Sequence, residues 1–143
     1  MSVLFTLKQY VKMVIQNKYL PYIYQKACKK PVKKGKILFA DAHHTELTGN
    51  MKPVYQKLKN GGYDIQLYCE DIQTMPVWRM IAFMKEFMQV YAQAEYVFIN
   101  SYFLPVSSCR KRKETTVVQL WHSGGLMKKM GYDTTEDIPK YYK

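Results

Sequence analysis

The chain has 143 residues, of which 48% are hydrophobic and 15% aromatic, and its formal net charge is +11. This length gives room for one domain with a sizeable core, and the apolar content excludes an intrinsically disordered chain. The charge is uneven, because residues 1–36 hold nine lysines and no acidic residue, whereas residues 37–143 carry only +2. A DNA-binding domain carries its basic face on the folded body. We therefore expect no nucleic-acid partner. Binding of nucleic acid through the overall positive charge is the weakest of the alternatives considered for this chain.

Residues 1–36 predict an amphipathic, lysine-rich segment at a membrane surface. Over residues 3–20 apolar side chains recur at helical spacing, and Pro21 is expected to end or kink that helix. The lysines expected to contact anionic lipid follow it: Lys26, Lys29, Lys30, Lys33, Lys34 and Lys36. The predicted location is peripheral, on the cytoplasmic face of the cell membrane. The alternative is a helix that packs on its own domain, followed by a solvated basic linker.

No apolar run reaches the ~18–20 residues of a transmembrane helix, and the N-terminus lacks the features of a signal peptide. Three widely spaced cysteines, Cys28, Cys69 and Cys109, indicate free thiols in a reducing cytosol. No cofactor and no metal site is predicted. The His43-His44 pair lies beside two acidic residues, but no further Cys or His completes a metal-binding pattern. A solvated loop or a contact to an acceptor substrate is the expected role of this pair.

From residue 37 the sequence alternates between strand and helix patterns. Strands are predicted at 37–40, 63–68, 96–99 and 115–121, and helices at 51–60 and about 76–94, with Asn50 as the N-cap of the first helix and a polar loop at 105–114. Such alternation predicts right-handed crossovers and a Rossmann-like parallel sheet flanked by helices over residues 37–143. Ligands bind such sheets at the carboxyl ends of the strands, which places the loops 41–49, 100–101 and 122–129 at one edge.

The loop after the last predicted strand holds the strongest candidates for chemistry. His122 directly follows Trp121, and an imidazole there can act as a general base on an alcohol. The Ser123-Gly124-Gly125 turn lets backbone N–H groups approach an anion, and Lys128 and Lys129 supply positive charge for a phosphate. The alternative for His122 is a structural or solvated side chain in a glycine-rich loop.

Two segments resemble the CDP-glycerol glycerophosphotransferase family, the teichoic acid primases and polymerases of Gram-positive bacteria. The family pattern runs from a Gln-x-Trp-His strand end through a small turn to Lys-Lys-x-Gly, and these positions match it: Gln119, Trp121, His122, Gly125, Lys128, Lys129 and Gly131. The segment 49–55, which begins Gly-Asn-Met-Lys, is similar to the one that opens the family's first helix. The resemblance covers about residues 36–138.

The resemblance implies the acceptor-side half of a GT-B transferase, which has two Rossmann-like domains. It implies that His122 activates an acceptor hydroxyl for attack on the β-phosphorus of CDP-glycerol or CDP-ribitol, with CMP released. The phosphate contacts would come from Ser123, Gly124, Gly125, Lys128, Lys129 and Asn50. The expected partners are a polyol-phosphate polymer or lipid-linked acceptor, and a CDP-polyol donor if a C-terminal domain exists.

The sequence stops at Lys143, before any segment that resembles the family's donor-binding domain. We therefore expect residues 37–143 to be an incomplete Rossmann-like domain, without transferase activity by itself. The alternative is a non-catalytic module that docks on membranes or interacts with a partner.

Overall fold

A computed structural model describes residues 3–120 of the chain, with the side chains of residues 3–5 and 8 outside the description. The helices are α1 (Val3–Val14), α2 (Leu20–Ala27), α3 (Met51–Leu58), α4 (Val77–Tyr91) and α5 (Leu104–Ser107). The strands are β1 (Lys33–Asp41), β2 (Asp64–Cys69), β3 (Ala94–Ile99) and β4 (Thr116–Gln119). A π-helical turn, Ile15–Tyr19, joins α1 to α2.

The four strands form one parallel sheet in the order β2-β1-β3-β4. Each crossover contains a helix, which confirms the predicted Rossmann-like α/β fold. The chain leaves β1 towards one side of the sheet to form β2 and then returns to the other side for β3. This reversal makes the carboxyl ends of β1 and β3 the switch point, where open α/β sheets bind ligands.

The sheet is covered on both faces, and β1 shows why. Ile37 and Phe39 pack towards α3 in a small core, whereas Leu38 and Ala40 lie on the opposite face in the main core. Successive side chains of a strand point to opposite faces, so a strand in the middle of a three-layer fold is apolar at every position. The main core is completed by α4, which buries Met84, Phe87, Met88 and Tyr91, as its helical periodicity predicts.

The sequence predicts that Pro21 either ends or kinks the N-terminal helix, and the helix does not end there. The Leu20 N–H bonds to the Ile15 carbonyl five residues back, and α2 then continues to Ala27. A proline inside an α-helix lacks an N–H and crowds the preceding turn. The π-helical turn ends at Tyr19, two residues before Pro21, and such a single wide turn interrupts the regular hydrogen-bond ladder there.

Other element boundaries differ from the predicted ones by a few residues. Strand β1 begins at Lys33, four residues before its apolar run, and contains a bulge between Lys33 and Ile37. Gly35 lies in this bulge with φ +77, a conformation that glycine adopts without strain. The segment predicted as a polar loop begins with α5, which buries Pro105. Trp121 and His122, at the end of the last predicted strand, lie outside the described residues.

No helix among residues 3–120 is both long and apolar enough to span a bilayer. The cysteines are free thiols, as predicted. The domain boundary expected at residue 36 stays a prediction. Leu20 and Tyr24 of α2, before this position, lie in the same core as the sheet residues Leu38 and Val97.

Candidate functional site

The carboxyl end of β1 carries a carboxylate–imidazole pair. The last residue of the strand, Asp41, is buried, with 1% of its side chain exposed, whereas half of the His44 side chain is exposed. The Asp41 Oδ2 lies 3.0 Å from the His44 Nδ1, and the Asp41 Oδ1 accepts a 2.9 Å hydrogen bond from the His43 N–H. Both carboxylate oxygens are therefore engaged, and the loop after β1 is fixed to the end of its own strand.

A cavity of about 360 Å³ lies next to this pair. Its lining residues are His43, His44, Thr45, Glu46, Thr48 and Asp71. The first five belong to the loop after β1, and Asp71 belongs to the loop after β2. The cavity therefore lies at the carboxyl edge of the sheet, where the parallel topology predicts a ligand site.

Two backbone hydrogen bonds hold the second wall of this cavity in place. The Glu70 N–H donates to the Asp41 carbonyl at 3.0 Å, and the Ile72 N–H donates to the Ala42 carbonyl at 3.1 Å. Asp71 lies between these two bonds, and its Oδ1 accepts the Gln73 N–H at 3.1 Å. The loops after β1 and β2 are thus tied together, and Asp71 lines the same cavity as the two histidines.

The Cys69 thiol at the end of β2 is not a nucleophile at neutral pH. Burial raises its pKa to about 11, and the nearby Asp41 carboxylate adds to this effect. A thiol with a raised pKa stays protonated, and only the thiolate reacts readily. The chemistry of this edge therefore depends on oxygen and nitrogen groups.

Most of the phosphate-binding and catalytic residues predicted from the sequence lie outside the described residues. These are His122, Ser123, Gly124, Gly125, Lys128 and Lys129. Strand β4 runs parallel to β3 and the Leu120 N–H bonds to the Ile99 carbonyl at 2.7 Å, so the chain reaches residue 120 at the carboxyl edge. Asn50 directly precedes α3 and is exposed, but its backbone is helical and its side chain makes no capping hydrogen bond to the helix, so the predicted capping role is not borne out.

The lysines predicted to contact a membrane have two different surroundings. Five of them are exposed: Lys26, Lys29, Lys30, Lys33 and Lys34. Lys36 is buried, and its Nζ lies 3.9 Å from an Asp64 carboxylate oxygen on β2. The side chain of Lys36 therefore supports the β1–β2 edge of the sheet and does not contribute to a basic surface.

Sequence reasoning missed two residues that organise the structure. Asp41 was noted only as a neighbour of the histidines, and its role follows from its burial at a strand end. Arg112 lies in the segment 105–114, which the sequence predicts to be a polar loop. Its Nη1 instead donates to the carbonyls of Cys28 at 3.3 Å, Lys30 at 2.6 Å and Ala92 at 3.2 Å.

These contacts place the Arg112 charge at the carboxyl ends of two helices. Cys28 is the C-cap of α2, and Ala92 is the C-cap of α4. The Arg112 backbone N–H also donates to the Tyr24 hydroxyl at 3.0 Å. A cation at a helix C-terminus satisfies free carbonyls and interacts favourably with the helix dipole. Arg112 therefore holds α2 and α4 together at one end of the main core.

A comparison with known protein families identifies the family of this chain. The model of the family "CDP-Glycerol:Poly(glycerophosphate) glycerophosphotransferase" matches residues 22–142. The chain belongs to this family. The match begins within α2 and continues through the whole sheet, so it includes the Asp41–His44 pair, and it extends over the Trp121-His122 segment. The resemblance inferred from the sequence is confirmed.

Three curated relatives agree with this assignment. A teichoic acid ribitol-phosphate primase of Bacillus spizizenii is 31% identical over 105 residues, which cover 71% of this chain and 27% of the relative. A teichoic acid poly(ribitol-phosphate) polymerase of the same organism is 26% identical over 71% of this chain and 16% of its own length. A teichoic acid ribitol-phosphate polymerase of Staphylococcus aureus is 30% identical over 73% of this chain and 21% of its own length. The matched region is thus a small part of each relative.

Proposed function

We propose that this chain forms the acceptor side of a polyol-phosphate transferase that uses a CDP-polyol donor in the synthesis of teichoic acid or a related cell-surface polymer. The observation that carries the proposal is the family match over residues 22–142. The relatives named for ribitol-phosphate and the family named for CDP-glycerol favour a ribitol or glycerol donor over other nucleotide-linked compounds. A parallel sheet with polar loops at its carboxyl edge is consistent with one Rossmann-like half of a GT-B cleft.

In this proposal His122 is the general base. The oxygen of an acceptor hydroxyl attacks the β-phosphorus of the donor, and its proton passes to the His122 imidazole. The bond between the β-phosphorus and the bridging oxygen breaks, and CMP leaves with that oxygen. Ser123, Gly124, Gly125, Lys128, Lys129 and Asn50 would contact the phosphates. Such a transfer depends on positioning and on neutralising charge, which backbone N–H groups and lysines supply.

The test is CMP release from CDP-glycerol and CDP-ribitol by the longest polypeptide that the gene encodes, with a lipid-linked acceptor present. General-base catalysis contributes about 10²–10⁴-fold, so His122→Ala should lower turnover by at least about 100-fold without a change in the circular dichroism spectrum. Gln89→Ala, on the exposed side of α4, is the matched control and should keep full turnover. Turnover that survives in His122→Ala contradicts the base assignment.

A second proposed role, docking on the cytoplasmic face of the membrane, is supported by α1. Its apolar residues Leu7, Tyr10, Val11 and Val14 follow the i, i+3, i+4, i+7 spacing of one helix face, and all four are exposed. Lys12 on the same helix is exposed as well. An amphipathic helix with an uncovered apolar face and lysines around it suits the interface of an anionic bilayer. This feature also fits the alternative of a non-catalytic docking module.

Flotation with vesicles separates these possibilities. The chain should float with vesicles that contain phosphatidylglycerol and not with neutral phosphatidylcholine vesicles. Replacing Leu7 and Val11 by serine should weaken binding by at least about 100-fold, because each of the two buried apolar side chains contributes about 1.5–3 kcal/mol. Val77→Ser is the control, since Val77 is equally exposed but lies at the start of α4. Equal binding of all variants would exclude α1 as the docking surface.

A further inference from the structure

The cavity beside Asp41 and His44 has a lining that suits hydroxyl groups. Thr45 and Thr48 carry hydroxyls that donate and accept, Glu46 and Asp71 carry carboxylates that accept, and among residues 3–120 no lysine or arginine lines the cavity. A phosphate anion placed there would meet two carboxylates, and none of the residues that line the cavity in the described part of the chain is a lysine or arginine that could offset their charge. A neutral ligand with several hydroxyls can donate to the carboxylates and exchange hydrogen bonds with the threonines.

The Asp41–His44 contact fixes what the imidazole offers to such a ligand. An ionised carboxylate only accepts hydrogen bonds, so an ionised Asp41 favours the tautomer in which a neutral His44 ring carries its hydrogen on Nδ1, 3.0 Å from the Asp41 Oδ2. The Nε2 of the same ring then presents a lone pair. Because Asp41 is also held by the His43 N–H, the ring is oriented before any ligand binds. This arrangement resembles the carboxylate that sets the tautomer of a catalytic histidine.

The position in the sheet connects this cavity with the proposed reaction. The cavity adjoins the carboxyl end of β1, and β3 lies between β1 and β4. Neighbouring strands are about 4.8 Å apart, so the ends of β1 and β4 are separated by about 10 Å. The segment that contains His122 follows β4. An extended acceptor can therefore occupy the cavity and still reach the end of β4.

A metal ion is a less suitable occupant. Within residues 3–120, no group of three or more His, Cys, Asp or Glu side chains is arranged to hold a metal. The Asp41 carboxylate is already engaged by a ring nitrogen and a backbone N–H. We propose that the Asp41–His44 pair and its cavity form a subsite for the hydroxyls of an acyclic polyol, which rests on the transferase function proposed above and assigns the acceptor's polyol portion to this place.

The test is a titration of the chain with ribitol, glycerol and inorganic phosphate, followed by the ¹⁵N and ¹H signals of the histidine rings. Ribitol or glycerol should shift the His44 ring signals saturably, and phosphate should not. His44→Gln should weaken the binding by about tenfold, the value of one hydrogen bond of about 1.4 kcal/mol. The half-exposed position of His44 makes this variant compatible with folding.

Asp41→Asn tests whether the Asp41 charge positions the His44 ring. The asparagine side chain has nearly the same shape as aspartate but carries no charge, so any effect comes from the lost charge and not from a change in packing. It should change the ring ¹⁵N shifts that report the His44 tautomer and weaken polyol binding. Asp64→Asn is the matched control, because it removes a carboxylate at the amino end of β2, far from the cavity. It should leave polyol binding and the His44 tautomer unchanged.

Three results would overturn the subsite: no saturable shift of the His44 ring with either polyol, a shift with phosphate alone, or equal losses in Asp41→Asn and Asp64→Asn. The CMP-release assay is independent of these measurements. Turnover without polyol binding at His44 would remove the subsite and leave the transferase. Polyol binding without turnover would support the subsite and count against the transferase.

Discussion

Helices α1 and α2 belong to one continuous helix with apolar residues and lysines in both halves, yet their surroundings differ. In α1 the apolar residue Leu7 is 57% exposed, whereas in α2 Leu20 is fully buried against the sheet. Helical periodicity reports that an apolar stripe exists, and it carries no information about what covers the stripe. Packing on its own domain thus describes α2, whereas α1 keeps its apolar side chains exposed, and membrane contact stays a proposal for that half.

The sharpest test of this contrast replaces one leucine in each half. Leu20→Ala should lower the free energy of unfolding by about 2–5 kcal/mol, because it leaves a cavity in the main core. Leu7→Ala should change it by less than about 0.5 kcal/mol, since an exposed side chain loses little on truncation. Urea denaturation of both variants provides the measurement. Equal losses would mean that α1 is also covered within the folded chain.

Arg112 offers the next largest effect, because it attaches α2, and not α1, to the body of the protein. Arg112→Met keeps most of the apolar stem but removes the charged hydrogen bonds to Cys28, Lys30 and Ala92. We expect a loss of about 1.5–3 kcal/mol in the free energy of unfolding. Arg110→Met, two residues earlier and exposed, is the control and should cost less than about 0.5 kcal/mol.

The mildest test uses pH and two tyrosines of α2. Burial raises the pKa of Tyr24 to about 12 from 10.0. A group with a raised pKa in the folded state stabilises the fold fully below its unfolded pKa, and this contribution is lost as the pH rises through the folded value. The free energy of unfolding should therefore fall between pH 10 and 12. Tyr68, with a pKa raised by burial to about 12, adds to this fall.

Tyr24→Phe should reduce the slope of stability against pH in that window, although it also removes the hydrogen bond from the Arg112 N–H. Tyr22→Phe is the matched control two residues away, where the side chain is 60% exposed, and it should leave the slope unchanged. Urea midpoints at several alkaline pH values measure both. If the two variants share one slope, burial of Tyr24 does not govern the alkaline transition.

The sheet itself was predictable from the sequence because each strand has a distinct signal. The run Ile37–Ala40 is apolar at every position, which is typical of a strand covered on both faces. The start of β1 at Lys33 could not be predicted, since lysines and Gly35 carry no strand signal. Pairing with β3 and the bulge at Gly35 extend the strand there.

The location of the candidate site could be predicted from the sequence, but the residues that form it could be predicted only in part. Parallel topology placed the loop after β1 at the ligand edge, and His43 and His44 were noted there. Their relation to Asp41 depends on the burial of that carboxylate and on the backbone bonds from Glu70 and Ile72. These contacts join residues about 30 positions apart, so no local pattern reports them.

The sequence by itself determined the parallel α/β fold, the family and the segment that carries His122, because strand periodicity and a short motif are local properties of the chain. Only the tertiary structure decided which lysines are exposed, which half of the N-terminal helix is buried, and that Arg112 joins two helix ends. Lys36 shows the reason. It follows Lys33 and Lys34 in the same basic segment, after Gly35, and only its register opposite Asp64 on β2 makes it a buried lysine with a carboxylate 3.9 Å away.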